Sequence, residues 1–359
     1  MSWGEIQGHD QVIDQFRRAI ANNRLASTFL FIGPPGIGKR TFAQRLAKAM
    51  LCESSRSDVL EPCGHCSACQ QVDARTHPDL EVVSKPKDRS YIPLELFIGD
   101  REHRMREGLC FRMSMKSFRG GYKIGIIEDA DFLRQEGANC LLKTLEEPPP
   151  RTLLILIGTS EQRQLPTIRS RSQIIRFRPL DESLVADLLV EHDMIGDPRQ
   201  AARLAALSGG SLQRALELDD AALDEFRQSL LDQLSLADWD SVKFSKELAA
   251  FVDGAGKDPS AKRERIVQVM GMAGEFYRQM MRSCSGVPIE GDRPMHQAVA
   301  AALNAWPGDA ETAAACLERC LDAQNQVQAN ANQATLLECW LDDLATTTRS
   351  ASPLAPSWL

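Results

Sequence analysis

The first two thirds of the chain alternates short apolar runs with stretches whose apolar positions recur at helical spacing. Thr28-Phe-Leu-Phe-Ile-Gly33 is an apolar strand that ends in a glycine turn. Lys39 to Met50 follows, with Phe42, Leu46 and Ala49 on one helical face. Leu80 to Ser84, Lys123 to Ile127, Thr152 to Ile157 and Gln173 to Phe177 predict four further strands. A helix is predicted over Gln135 to Glu147, where Pro148-Pro149-Pro150 stops it. Such alternation predicts an α/β domain, a parallel sheet covered by helices on both faces.

From Pro179 the strand-like runs cease. Residues 179–222 carry three short helical patterns, with turn signals at Gly196-Asp197-Pro198 and Ser208-Gly209-Gly210-Ser211. Residues 223–345 read as longer amphipathic helices with polar breaks at Asp253 to Lys262 and Cys284 to Pro294. The last stretch, 346–359, is small, polar and proline-bearing, and is predicted to be a disordered tail. The expected organisation is therefore a sheet domain over 1–178, a small helical domain over 179–222, and an all-helical domain over 223–345.

Composition narrows the function classes. The chain has 359 residues, of which 43% are hydrophobic, 25% charged and 6% aromatic, an ordinary soluble composition. A net charge of −7 excludes coating of DNA through a global positive field. One candidate basic patch runs from Arg101 to Lys123, with Arg104, Arg106, Arg112, Lys116 and Arg119 between them. Its plainer reading is a solvated helical face. No apolar run reaches the roughly 18 residues that span a bilayer. The N-terminus also lacks the basic-then-apolar layout of a signal peptide. A cytoplasmic protein with no membrane partner is expected, so its ten cysteines should be thiols or metal ligands rather than disulfides. Six of them, Cys110, Cys140, Cys284, Cys316, Cys320 and Cys339, read as core thiols.

Two segments carry candidate chemistry. Gly33-Pro-Pro-Gly36-Ile-Gly38-Lys39 fits G-x-x-x-x-G-K between a strand and a helix. Glycines there let backbone N–H groups turn around phosphate oxygens, and the lysine reaches the terminal phosphates, so ATP is the expected ligand. Arg40 stands where Ser or Thr would put a hydroxyl on Mg²⁺. Thr41 is rotated by about 100° around the helix and is no simple substitute. Nucleotide binding survives this change, whereas it counts against Mg²⁺-assisted hydrolysis. A second acidic element, Ile124-Gly-Ile-Ile-Glu128-Asp129-Ala-Asp131, ends an apolar strand in carboxylates, as a Walker B motif does. An ordinary acidic strand-end turn is the alternative.

The other segment is Cys63-Gly-His-Cys66-Ser-Ala-Cys69, with Cys52 upstream. Four thiolates at this spacing can close a tetrahedral Zn²⁺ site, and a closed Cys₄ site is structural because no position is left for water or substrate. An iron–sulfur cluster is the second reading, since C-x₂-C-x₂-C also occurs in ferredoxins. The local sequence offers no trailing Cys-Pro. His65 is expected to face solvent rather than act as a ligand.

These segments, in this order, resemble the bacterial clamp-loader family of DNA polymerase III. Gly8-His-Asp-Gln-Val-Ile13, Asn23 to Gly33, Thr76-His-Pro-Asp79 and Asn139-Cys-Leu-Leu-Lys-Thr-Leu-Glu-Glu-Pro-Pro149 each look like a family segment. So does Leu165-Pro-Thr-Ile-Arg-Ser-Arg171-Ser172, where the family usually has Ser-Arg-Cys. The match is good over about residues 5–220 and thin beyond, although Asn330 to Leu344 looks like the family's last collar helix.

The resemblance implies a RecA-like AAA+ P-loop domain (1–178) with an inserted zinc module at about 52–69, a helical lid (179–222), and a collar (223–345) that assembles a hetero-pentameric ring. It implies gamma/tau and delta subunits as partners, with the sliding clamp and primed DNA reached through the complex. By the same resemblance Arg171 is an arginine finger acting in trans on a neighbour's ATP. AAA+ ATPases usually place Asp before Glu where this chain has Glu128-Asp129, so its Walker B is inverted. Gln213 occupies the place of a sensor arginine, with Arg214 one step away. Together with Arg40 these departures predict a non-motor ring member, the alternative being a gamma-type motor that uses Lys39, Glu128 and Asp129 itself.

Overall fold

The structure, a computed structural model, describes residues 6–54, 60–86, 89–104, 106–256, 258–306, 308–329 and 331–350. Part of the expected cysteine module (55–59) and most of the expected tail (351–359) lie outside the described residues. The chain forms two compact units, Met1–Glu217 and Leu218–Leu359.

Five strands build the first unit: β1 (Thr28–Ile32), β2 (Leu80–Val83), β3 (Lys123–Ile127), β4 (Thr152–Gly158) and β5 (Gln173–Arg176). All pairings are parallel, in the order β2-β3-β4-β1-β5. The mostly apolar strands β1, β3 and β4 are buried along their whole length, as central strands covered on both faces must be. Side chains alternate across the sheet. Phe29 and Phe31 of β1 join Phe16, Phe42 and Phe177 on one face, whereas Leu30 and Ile32 join Phe97, Leu109, Leu141 and Leu156 on the other.

The helices of this unit are α1 (Asp10–Ala21), α2 (Lys39–Leu51), α3 (Ser67–Asp73), α4 (Glu95–Ile98), α5 (Gly108–Ser114), α6 (Gln135–Glu146) and α7 (Pro166–Arg169). They are followed by α8 (Glu182–Glu191), α9 (Pro198–Ser208) and α10 (Leu212–Glu217). The five strands and the α2 and α6 helices fall within a residue or two of their sequence-predicted bounds. The three short helices of the predicted small domain are α8, α9 and α10, and they lie in the same compact unit as the sheet.

The second unit is helical: α11 (Ala221–Leu234), α12 (Ser241–Asp253), α13 (Pro259–Cys284), α14 (Arg293–Ala305), α15 (Ala310–Gln328) and α16 (Gln333–Ser350). Both predicted breaks occur, and three more separate α11 from α12, α14 from α15, and α15 from α16. Aspartates mark the helix starts: the side chains of Asp220, Asp240, Asp258, Asp292 and Asp309 accept from backbone N–H groups in the first turns of α11 to α15. Helix α16 runs to Ser350, into the stretch expected to be a tail, with Thr348 buried and its hydroxyl donating to the Ala345 carbonyl. Trp340, Tyr277 and Phe276 fill the core, and Arg227 holds Asp292 through two 2.8 Å hydrogen bonds.

Two expectations are corrected here. Cys284 ends α13 and Cys339 lies on the outer face of α16, and both are exposed rather than core thiols. The expected basic helical face does not form as a unit either. Arg112 pairs with Glu81, Arg119 with Glu53, and Lys123 is buried against Asp79, and among the described residues of the segment only Gly108–Ser114 is helical. Among the described residues no helix is long and apolar enough to cross a membrane.

Candidate functional site

Strand β1 runs directly into the glycine loop, and Lys39 opens α2 immediately behind Gly38. Gly38 has φ 94° and Gly36 φ 72°, both in the left-handed region where glycine costs least. Gly36 is also sterically confined: a Cβ there would overlap Ser211 Oγ and lie 2.5 Å from Gln213 Cβ. Its carbonyl accepts from the Leu212 N–H at 3.1 Å, so the start of α10 rests on the loop. On the other side His9 Nε2 donates to the Ile37 carbonyl at 2.7 Å, with its ring edge-on to Phe177. Burial lowers the His9 pKa and so favours the neutral ring.

The Lys39 ammonium is buried and donates to the Gly33 and Pro34 carbonyls. Desolvation pulls its pKa down to about 8, against the field of Asp131, which raises it. Asp131, the last carboxylate of the acidic element, accepts from the Thr159 N–H and hydroxyl and from the Gln164 amide. It thereby ties the end of β3 to the end of β4 beside the loop lysine.

Arg40 reaches both residues of the inverted acidic pair. Its Nε lies 3.1 Å from Glu128 Oε2 and its Nη2 3.4 Å from Asp129 Oδ1. Glu128 is buried, which raises its pKa, while the Arg40 guanidinium pulls the other way. Asp129 sits at φ 57° and accepts from the Lys85 N–H at 3.3 Å. Thr41 is exposed. The phosphate-loop lysine and the acidic strand end are thus brought together, with a guanidinium between the helix and the carboxylates. Gln213, at the expected sensor place, abuts Gly36 but turns its amide to Glu217 at 2.7 Å.

The four cysteines converge as well. Their Sγ atoms all lie within 4.8 Å of one another, and those of Cys52 and Cys66 are 3.8 Å apart. A tetrahedral metal with sulfur bonds of about 2.3 Å has sulfur–sulfur edges of about 3.8 Å, so the donor set fits one. Backbone N–H groups aim at the sulfurs: Cys63 at Cys52 (3.3 Å), Cys66 at Cys63 (3.4 Å) and Cys69 at Cys66 (3.4 Å). Donors of this kind stabilise thiolates. The backbone N–H of His65 helps bring the Cys63 pKa to about 6, whereas burial pushes Cys69 up to about 12. These four residues can hold a metal ion, and the exposed His65 turns its ring back to the Cys63 carbonyl.

The module is fastened by residues to which sequence reasoning assigned no such part. Lys48 of α2 pairs with Asp73 at 2.6 Å, and Arg119 reaches Ser67 and Gln71 as well as Glu53. The loop that carries Arg119 is pinned by Asp79, which accepts from Ser117 Oγ, Phe118 N–H and Arg119 N–H and lies 3.6 Å from Lys123 Nζ. Arg171 stands apart from these groups, between α7 and β5. Its Nε and Nη2 lie 2.9 and 2.6 Å from Glu146 Oε1, at the end of α6. This is the ion pair of an ordinary sheet-edge arginine, on an exposed side chain that a neighbouring molecule could reach.

Parts of the sequence are similar to known proteins. Residues 8–181 match the sequence model of the family described as DNA polymerase III, delta subunit. The chain is 33% identical over 230 residues to DNA polymerase III subunit delta' of Bacillus subtilis, which covers 64% of this chain and 64% of that protein. It is 34% identical over 208 residues to subunit delta' of Pseudomonas aeruginosa, covering 58% and 60% respectively. Against subunit tau of Escherichia coli it is 28% identical over 226 residues, 62% of this chain and 33% of that protein. These matches span less than two thirds of the relatives' own lengths.

Proposed function

From the match of residues 8–181 to the family described as DNA polymerase III, delta subunit, we propose that this chain is a delta-prime-like subunit of the bacterial replicative clamp loader. In this reading it is a non-motor member of a hetero-pentameric ring with gamma/tau and delta subunits, and it reaches the sliding clamp and primed DNA through that ring in the cytoplasm. The sheet domain is an AAA+ P-loop core, residues 179–222 its lid, and residues 223–345 the collar through which the ring assembles. The four cysteines hold a structural zinc. ATP is a ligand of the phosphate loop, without efficient turnover.

The observation that carries this reading is the engagement of Glu128 and Asp129 by Arg40. A hydrolytic site needs one carboxylate to organise a metal and another to activate water. Here both already face the Arg40 guanidinium. What the chain can still offer to catalysis is a cation for someone else's phosphate, and Arg171 is exposed, its guanidinium paired with Glu146 at the surface. An exposed pair of that kind is worth about 0–1 kcal/mol, so exchanging the carboxylate for a neighbour's γ-phosphate costs little.

The gamma-type motor reading draws on the intact Gly33-to-Lys39 loop. ATP turnover by the purified chain distinguishes the two. Robust turnover that Lys39→Ala abolishes would sink the non-motor reading. In a reconstituted loader Arg171→Ala should leave assembly intact and lower DNA-stimulated ATPase at least about tenfold, well within what a trans-acting finger supplies. An unchanged rate would remove Arg171 from the mechanism.

A further inference from the structure

The three carboxylates that follow β3 are all spoken for by protein donors. Asp131 is held by Thr159 and Gln164, and Glu128 and Asp129 face Arg40 at 3.1 and 3.4 Å. Mg²⁺ at a phosphate loop needs oxygen ligands at about 2.0–2.1 Å in octahedral array, drawn from carboxylates, a hydroxyl, water and phosphate. The hydroxyl position is Arg40 itself, and its positive charge lies against the carboxylates a divalent ion would need. The residues present do not fit Mg²⁺.

They do fit a different arrangement. A guanidinium has five N–H donors in one plane and binds phosphate as readily as carboxylate. Arg40 turns one donor to Glu128 and one to Asp129, leaving the rest of the fork available, and its side chain is half exposed. It stands in the first turn of α2, next in sequence to the loop lysine, where nucleotide phosphates would lie. Glu128 is buried.

We propose that Arg40 takes the place of the divalent cation, so that the phosphate loop of this chain binds a nucleoside di- or triphosphate without metal. This rests on the reading of Gly33 to Lys39 as a nucleotide site given above, and it makes Arg40 the residue that sets the site's metal requirement. The two acidic side chains serve as anchors that orient the guanidinium, not as metal ligands.

The test uses the full chain, titrated calorimetrically with ATP and with ADP, in magnesium and in excess EDTA. For the natural protein the two dissociation constants should agree within about twofold, because the cation is already covalently present. Arg40→Ser should weaken binding in EDTA by about tenfold or more and regain it when magnesium is added, since a hydroxyl and two freed carboxylates then face the phosphates. Arg40→Lys, which keeps the charge, should remain insensitive to EDTA. Manganese, observed by its paramagnetic resonance, should bind with ATP to Arg40→Ser and not to the natural protein. Zinc content and far-ultraviolet ellipticity check that each variant is folded. The proposal is overturned if magnesium tightens binding to the natural protein tenfold, if neither nucleotide binds it in either buffer, or if folded Arg40→Ser binds equally well in EDTA. None of these results touches the ring-subunit reading, which is decided separately by assembly and by the Arg171→Ala ATPase.

Discussion

Replacing Asp79 with Asn should destabilise the first unit by about 3 kcal/mol, and the reasoning can be followed atom by atom. Asp79 is 1% exposed and lies opposite Lys123, which is 7% exposed. Its two oxygens accept from Ser117 Oγ at 3.1 Å, Phe118 N–H at 2.7 Å and Arg119 N–H at 3.2 Å. Asn keeps the volume and one oxygen, so the loop loses part of its hydrogen bonding and Lys123 is left as a buried charge without its partner. Removing one member of such a pair costs about 3–5 kcal/mol, and the retained amide oxygen puts this case at the lower end. Burial by itself would raise the Asp79 pKa, but the three hydrogen bonds and the Lys123 ammonium outweigh it and hold the carboxyl below its ordinary value. A depressed carboxylate contributes stability above its unfolded pKa of about 4, and the contribution is lost as pH falls through the folded value. The gap between natural protein and variant should therefore be full at neutral pH and close below about pH 4. Urea unfolding followed by far-ultraviolet ellipticity, on both proteins at each pH, measures it; comparison at matched pH cancels acid loss of any bound metal. A gap under about 1 kcal/mol at neutral pH, or one that persists undiminished in acid, would refute the argument. Adding Lys123→Met to the variant should recover part of the loss, because it removes the stranded charge.

Two further perturbations probe the cysteine cluster and the loop. Cys63→Ser should release about one equivalent of zinc and lower the melting temperature, whereas finding no metal in the natural protein would end the zinc assignment. Gly36→Ala should cost about 2–4 kcal/mol, from the left-handed backbone and from the overlap with Ser211 and Gln213. It should also speed hydrogen exchange at the amides of Leu212 and Gln213, and unchanged exchange there would show that α10 does not rest on the loop.

What the sequence made legible is what neighbouring residues determine. The strands of the sheet are apolar runs bounded by turns, and the cysteine cluster and phosphate loop are contiguous motifs. The breaks between α11 and α12 and between α14 and α15 were legible in principle through Asp240 and Asp309, helix-capping aspartates that hydrophobic spacing alone passes over. The partners of these motifs were not legible, because they come from distant segments. Nothing near Arg171 in sequence points to Glu146, nothing near Gly36 points to Ser211, and Asp79 meets Ser117 to Lys123 only because β2 and β3 pair. Arg40 lies between the two cases. Its departure from the motif was visible in the sequence, but its reach to both Glu128 and Asp129 needed the fold.

That fold also joins the cysteine cluster to the phosphate loop. Helix α3 begins on Cys66, whose sulfur accepts from Cys69 N–H, and ends just before Arg75, a residue at φ 57° whose charge lowers the pKa of Glu128 alongside Arg40. Glu128 is buried and pulled upward by desolvation, so the two arginines together favour its ionised form. The cysteines fix the first turn of α3, and Lys48–Asp73 fixes its last turn to α2, which carries Arg40. Losing metal from the four thiols would loosen α3 at its start and weaken the hold on Arg75. The Glu128 carboxyl would then shift further upward, and Arg40 would lose part of the negative charge that orients it. Through the α3 contacts and the charge of Arg75 on Glu128, the Cys63→Ser variant should bind ATP more weakly as well as melt earlier. If its nucleotide affinity equals that of the natural protein, the cysteine cluster supports the fold without reaching the phosphate loop.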